Sequence, residues 1–323
     1  MTEFSVVIPT YQRPDTLFRV LDALERQSEP PSFEVVVVDD GSRDETPAKL
    51  ESYRAAYPFR FFSQCNSGPA AARNRGIQEA RGRYVLFLGD DTVPEALLLA
   101  VHAFAHAQKN ESPVAVLGYT TWPHDRRVSP FLHHINEYGL QFGYGLIEDA
   151  DAVPFNFFYT SNISLPRSLL VEAGLFDTTF PHAAWEDIEM AYRLMKMGMK
   201  ILYRPRAIAR HHHDITFHSF RRRQEKSGEA AAIFYCKHPE LGDFLGVPQA
   251  TLYRNGGVVR GRLLPFWAAL AERWELPGAR RAVDSVLRED YLRGLNRALA
   301  VVRPAKRASD GRRHSPPDDA VTP

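Results

Sequence analysis

Two adjacent carboxylates, Asp90 and Asp91, follow the apolar run Tyr84-Val85-Leu86-Phe87-Leu88 and Gly89. Side by side at a buried strand end they repel each other unless a cation or hydrogen-bond donors compensate. Mg2+ or Mn2+ suits such oxygen ligands, since these ions bind one or two carboxylates and complete their shell with substrate phosphates. The plain alternative is an Asx turn capping a helix opened by Pro94. A second acidic strand end, Asp39-Asp40-Gly41-Ser42, suits a tight turn and also hydrogen bonding to a nucleotide base or ribose. The segment Gly68 to Gly76 reads as a helix start with small residues for close packing. Its N–H groups attract anions, and Arg73 can clamp phosphate or stack on a base.

Farther on, Trp185-Glu186-Asp187-Ile188-Glu189 opens a helix with Ile188, Ala191, Leu194 and Met195 on one face. Acids in a first helical turn are stabilised by the dipole in any case. A carboxylate there can also take a proton from an acceptor hydroxyl, and Asp187 is the candidate base. His211-His212-His213-Asp214 ends a strand; alternation puts His211 and His213 on one face, in no standard zinc spacing. Arg221-Arg222-Arg223 with Lys226 could bind diphosphate, an anionic acceptor or a lipid surface, although a solvated helix face is the commoner outcome.

The elements that must position these groups alternate. Compact apolar runs predict strands at Phe4–Pro9, Phe33–Val38, Pro58–Phe62, Tyr84–Leu88 and Val114–Leu117. Helices are predicted after Pro14, with Leu17, Val20, Leu21 and Leu24 on one face; after Asp44 as N-cap; over Pro69–Ala80; and from Pro94. Strands apolar on both faces belong to parallel sheets covered by helices, so the fold class is α/β: a mostly parallel, Rossmann-like sheet flanked by helices. Ligands sit at the carboxyl ends of such strands. Thr10-Tyr11, Asp39-Asp40 and Asp90-Asp91 all fall there. From Tyr119 to Pro154 no period is visible, and a long irregular segment is often a functional loop. Regularity returns at Tyr159–Leu165, in a helix from Trp185 to Gly198, and in strands at Lys200–Tyr203 and Ala207–His211.

Three regions follow: a catalytic domain over 1–216, a helical C-terminal extension over 217–303, and a disordered tail over 304–323. Within the extension, Arg260 to Arg281 sets Leu263, Leu264, Phe266, Trp267, Leu270 and Trp274 beside basic residues. It could lie on a membrane or cap the catalytic domain; the cap is preferred. The 323 residues are 44% hydrophobic, with 40 Lys+Arg against 39 Asp+Glu and a net charge of +1. No basic field points to nucleic acid. Cys65 and Cys236 show no ligand spacing, the N-terminus has no signal-peptide pattern, and no run is long enough to span a bilayer. A cytoplasmic protein is expected, with room for peripheral contact at the inner membrane face through the basic helices, and for a homo-oligomer.

The order of motifs resembles the large inverting glycosyltransferase family 2, which has the GT-A fold. The matching pieces are Val6-Val7-Ile8-Pro9-Thr10-Tyr11, Val36 to Ser42, Gly68 to Gly76, Leu88-Gly89-Asp90-Asp91, Asn162-Ile163-Ser164 and Trp185-Glu186-Asp187. The resemblance implies that Pro9, Thr10, Tyr11, Asp40 and Arg73 hold the nucleotide. It makes Asp90-Asp91 a DxD-type motif, with Asp91 the metal ligand and Asp90 supporting the ribose or a metal-bound water. It makes Asp187 the general base, Glu186 its acidic neighbour, and His211 a partner in holding Mn2+ or Mg2+. The donor it implies is a nucleotide-sugar, UDP-linked by default, and the acceptor a glycan, lipid-linked or protein hydroxyl in cell-envelope polysaccharide or glycan biosynthesis. Two competing readings are a sugar-1-phosphate nucleotidyltransferase and a non-catalytic nucleotide-sugar or glycan-binding module. Pro9 to Pro14 lacks the glycine-rich loop of the first, and the intact acids argue against the second. No GxGxxG follows the first strand, which disfavours an NAD-dependent oxidoreductase.

Overall fold

Four strands carry the first half of the chain: β1 (Phe4–Thr10), β2 (Phe33–Asp39), β3 (Phe59–Ser63) and β4 (Tyr84–Leu88). They run parallel in the order β3-β2-β1-β4. Successive side chains point to opposite faces, so each strand feeds two cores. Val7, Val36, Val38, Val85 and Phe87 pack with Ala70, Ala72 and Ile77 of α3 (Pro69–Glu79). Val6, Ile8, Val35, Val37, Leu86 and Leu88 pack instead with Leu17, Val20, Leu21 and Leu24 of α1 (Pro14–Glu25). Leu50 of α2 (Thr46–Ser52) and Leu98 and Leu99 of α4 (Leu98–Ala107) join this second core. Burying each such side chain stabilises the fold by roughly 1.5–3 kcal/mol, which is why these strands are apolar on both faces. Helix α3 lies hard against β1: a Cβ on Gly76 would sit 2.3 Å from Val7 Cγ1.

The computed structural model describes residues 2–109, 113–252, 265–266 and 279–310. Its contacts divide the chain into one unit over residues 1–217 and a second over 218–323. In the first unit the sheet continues past β4 with β7 (Asn162–Pro166), β6 (Val114–Thr121), β8 (Lys200–His211) and β5 (Thr92–Pro94). Strand β7 is antiparallel to both β4 and β6, so the sheet is mixed. Three local expectations need correction. Pro94 does not open a helix; it ends β5, which pairs with β8 through Thr92 and His211, and α4 begins at Leu98. The two strands expected at 200–203 and 207–211 are one. Gly118 pairs with Arg204 and Tyr119 with Ile208, so Pro205, Arg206 and Ala207 bulge out of the ladder. The stretch from Tyr119 to Pro154 also holds regular structure. It contains the end of β6, a 3-10 turn at Tyr144–Leu146, and α5 (Pro130–Glu137), capped by Ser129 Oγ accepting from Leu132 N–H at 3.2 Å.

After β7 come α6 (Arg167–Glu172) and α7 (Glu186–Lys196). The inner face of α7 is Met190, Ala191 and Leu194; Met195, expected inside, is 40% exposed. The Asn162-Ile163-Ser164 motif ties α4 to the sheet. Asn162 Nδ2 donates to Ala207 O at 2.8 Å, so its Oδ1 accepts from His102 Nε2 at 3.0 Å. His102 Nδ1 must then accept from Ser164 Oγ at 2.8 Å, and His106 Nε2 donates to the same hydroxyl at 2.8 Å. Burial holds both histidines neutral, His102 down to about 4 and His106 to about 3.

In the second unit, α8 (Phe217–Lys237) crosses α10 (Ala279–Asp310) backbone to backbone, with α9 (Val247–Leu252) between them in sequence. Cβ atoms on Gly228 and Gly294 would sit 2.0 Å from Tyr291 O and Glu225 O. Arg221, first of the three consecutive arginines, donates to buried Asp290 at 2.7 Å, while Arg222 and Arg223 are exposed. Helix α10 runs past residue 303, to Asp310. The Arg260–Arg281 stretch lies outside the described residues, apart from 265–266 and 279–281. Among the described residues no helix is long and apolar enough to cross a membrane.

Candidate active site

The loop after β4 brings the acid pair under the end of β8. Asp90 Oδ2 accepts from Thr10 Oγ1 at 2.8 Å, which ties the end of β1 to the end of β4. Asp91 faces two imidazoles: its Oδ1 lies 3.5 Å from His211 Nε2 and its Oδ2 lies 3.6 Å from His213 Nδ1. The β5–β8 ladder makes this possible, and His212 N–H donates to Asp91 O at 2.7 Å. The two rings stack 5.6 Å apart although His213 lies two residues past the end of β8, and Trp122 stacks on His211 at 5.7 Å. Gly89 is needed for the turn: a Cβ there would meet Thr92 Oγ1 at 2.7 Å and Asp91 Oδ1 at 3.0 Å.

The two acids have separate electrostatics. Desolvation and the neighbouring Asp91 charge push Asp90 up to about 6. Burial would raise Asp91 as well, but His211, Arg13 and His213 outweigh it and hold Asp91 ionised, well below the usual carboxylate range. Arg13 is the group the sequence reading missed. Its Nη1 donates to Asp91 Oδ2 at 2.5 Å and approaches Asp90 Oδ1 at 3.3 Å. A readable signal existed, because a cation at the N-cap of α1 opposes the helix dipole and needs another partner.

The second group of acids stands at the start of α7. Trp185 precedes it in the left-handed region, φ 71, a rare conformation for a bulky residue that marks a constrained site. Buried Glu186 Oε1 accepts from Arg73 Nη1 at 2.8 Å. Arg73, expected on the nucleotide, is thus engaged from α3 by this carboxylate, with its guanidinium 5.6 Å from the Phe176 ring centre. Glu186 Oε2 and Arg73 Nε are buried with no protein partner. Desolvation, then the Glu186 charge, pushes Asp187 up to about 7 against the opposing Arg73 charge, while the residue keeps partial exposure. An aromatic cluster joins the two acid groups. Asp187 adds to the burial and Tyr144 effects that raise Tyr159, whose ring lies 5.1 Å from Phe142, itself 6.1 Å from His211.

Asp40 is engaged locally by three donors. Its Oδ1 accepts from Gln64 Nε2 at 2.8 Å and Ser67 N–H at 2.9 Å, and its Oδ2 from Gly68 N–H at 2.8 Å. Gly41 (φ +80) completes the turn, since a Cβ there would lie 2.8 Å from Asn66 N. Tyr11, two residues after the partly buried Pro9, stands 43% exposed.

The family model described as Glycosyl transferase family 2 matches residues 5–169. The chain belongs to glycosyl transferase family 2. That match takes in Thr10, Asp40, Arg73, Asp90 and Asp91, while Glu186, Asp187 and His211 lie beyond it. An uncharacterized glycosyltransferase of Bacillus subtilis, YfnE, is 28% identical over 255 residues, 64% of each chain. Validoxylamine A glucosyltransferase of Streptomyces hygroscopicus subsp. limoneus is 32% identical over 219 residues, 60% of this chain and 48% of that one. The chain thus spans less than two thirds of these relatives' own length. Among solved structures, mannosyltransferase PcManGT from Pyrobaculum calidifontis, in complex with GDP-Man and Mn2+, superposes with a TM-score of 0.55 at 19% identity. That likeness covers 95% of this chain and 80% of that one. It identifies the fold: the helix-flanked mixed sheet is the GT-A sheet of the family.

A family 2 metal can be tested against these side chains. Among the described residues no cluster of three or more His, Cys, Asp or Glu is disposed to hold an ion alone. An ion that relies on substrate phosphates needs fewer protein ligands, and octahedral neighbours at about 2.1 Å from the ion stand about 3 Å apart. Asp91 with His211 at 3.5 Å, and His213 beside it, fits that requirement.

Proposed function

We propose that this family 2 protein transfers a sugar from a nucleotide-sugar, a UDP-sugar by default, to an acceptor hydroxyl with inversion at the anomeric carbon. The observation that carries the reading is Asp187, a desolvated carboxyl with some exposure, raised to about 7 and therefore half ionised near neutral pH. A general base is most effective when its pKa lies near the working pH. Asp187 takes the acceptor proton as the hydroxyl attacks, and Glu186 with Arg73 fixes the helix start that carries it. Thr10, Tyr11 and the Asp40 turn form the nucleotide side, and Asp90 anchors Thr10. Asp91 and His211 would hold Mn2+ or Mg2+, which supplies Lewis-acid stabilisation of the departing diphosphate.

The test is Asp187→Asn. The expected outcome is a loss of about 10^2–10^4-fold in transfer rate, with donor binding retained in a thermal-shift screen of UDP, GDP and dTDP sugars with Mn2+. Near wild-type transfer by a folded, donor-binding Asp187→Asn protein refutes the base assignment. Absence of any stabilisation by nucleotides refutes the donor class.

A further inference from the structure

The catalytic reading gives Arg13 no role, yet it makes the shortest contact at the acid pair, 2.5 Å to Asp91 Oδ2. The pair is asymmetric in exposure: the Arg13 side chain is 42% exposed, while those of Asp90 and Asp91 are 9% and 10%. The carboxylates cannot leave; the arginine can swing into solvent without uncovering the core. Asp91 also does not need Arg13 for its orientation. Thr92 Oγ1 donates to Asp91 Oδ1 at 3.3 Å, and His211 and His213 flank it. The start of the Arg13 arm is fixed, in contrast. Gln12 stands in the left-handed region, φ 54, and its N–H donates to Ser42 Oγ at 2.8 Å. The cation is therefore delivered to the acids by a set turn, and held there by its charge-assisted hydrogen bonds to them.

Two buried carboxylates carrying up to two negative charges attract a divalent ion strongly, and a guanidinium on the same oxygens opposes that ion by charge and by occupying a lone pair. Arg13 meets both acids through Nη1 alone, and a diphosphate arriving beside it offers a second anionic partner that the guanidinium fork can engage through two nitrogens. We infer that Arg13 is an internal counter-cation: it occupies Asp91 in the donor-free protein and moves to the donor diphosphate on binding. Metal and nucleotide then bind cooperatively, each favouring the state with Arg13 off the acids. This rests on the nucleotide-sugar reading above and adds a donor-binding residue that reading lacks.

Mn2+ binding, followed by the loss of the free-ion electron paramagnetic resonance signal, tests it without turnover. Wild-type protein and Arg13→Gln are titrated with Mn2+, alone and with saturating UDP, GDP or dTDP; circular dichroism checks that the variant is folded. The expected result is weak Mn2+ binding by the wild type alone, tightened at least tenfold by the matching nucleotide. Arg13→Gln should bind Mn2+ alone about tenfold more tightly than wild type, with the nucleotide effect reduced by a similar factor. Arg13→Lys, which keeps the charge on a movable arm, should stay near wild type. Unchanged or weaker Mn2+ binding by folded Arg13→Gln, where the wild type binds Mn2+ with a nucleotide, overturns the inference alone. If neither protein binds Mn2+ with any nucleotide, the underlying metal and donor reading fails with it.

Discussion

Two substitutions of one ion pair should move the same pH profile in opposite directions. Asp187 is raised to about 7 by desolvation and by Glu186, against Arg73. Glu186→Gln removes the negative neighbour and leaves the Arg73 charge uncompensated; both changes lower the Asp187 pKa. Arg73→Met keeps an apolar stem on Phe176 but removes the opposing cation, which raises it. For unit charges roughly 6–8 Å apart at an effective dielectric of about 20, Coulomb's law gives ~2–3 kcal/mol. The partial exposure of Asp187 calls for a discount of about half, leaving ~1–1.5 kcal/mol, or about one pH unit each way. The assay is kcat/KM for nucleoside diphosphate release from pH 5 to 9, at saturating metal. The acid limb should lie near pH 7 in the wild type, near 6 in Glu186→Gln and near 8 in Arg73→Met. Breaking a buried pair costs about 3–5 kcal/mol of stability, so the profiles are taken well below each variant's Tm. Equal falls in rate with no opposed shift would make the pair structural and refute its tuning of Asp187.

His102 and His106 have folded pKa values near 4 and 3, below an unfolded value of about 6.5, so the unfolded chain takes up protons first. Their contribution is full above pH 6.5 and falls as pH drops toward 4, by on the order of 3 kcal/mol for each; a urea midpoint that stays flat from pH 7 to 4.5 would contradict this. Gly118→Ala sets a Cβ 2.3 Å from Asn162 Nδ2 and 2.5 Å from Ala207 O. Overpacking plus the loss of that hydrogen bond should cost about 2–3 kcal/mol, read as a lower denaturation midpoint at unchanged slope.

Strands buried on both faces are legible as continuous Val-rich runs, so β1, β2 and β4 and the helices between them could be placed from local pattern alone. The acid pair was legible for the same reason, since it ends such a run. Pro94 misled because its role depends on pairing with Ala209, 115 positions away, a contact no local window contains. Helix α5 was hidden by the aromatic composition around it, although Ser129-Pro130 is a cap followed by proline at the first helical position. The Arg73–Glu186 link joins α3 to α7 across 113 positions, and single-residue chemistry assigned its two ends to different tasks. Arg13 escaped notice because it lies inside a helix start that looked complete without it.

The Asp40 turn couples the loop after β3 to the helix that carries Arg73. One carboxylate holds side-chain and backbone donors from Gln64, Ser67 and Gly68, and Gly68 is the N-cap of the helix that carries Arg73. The ordering entropy of that loop is therefore settled when the chain folds, and a donor bound there as proposed meets a rigid rim. An Asp40→Ala protein that loses nucleotide affinity will have lost this rigidity together with any base contact. Its signature is greater protease sensitivity and faster amide exchange at residues 64–68 before any ligand is added.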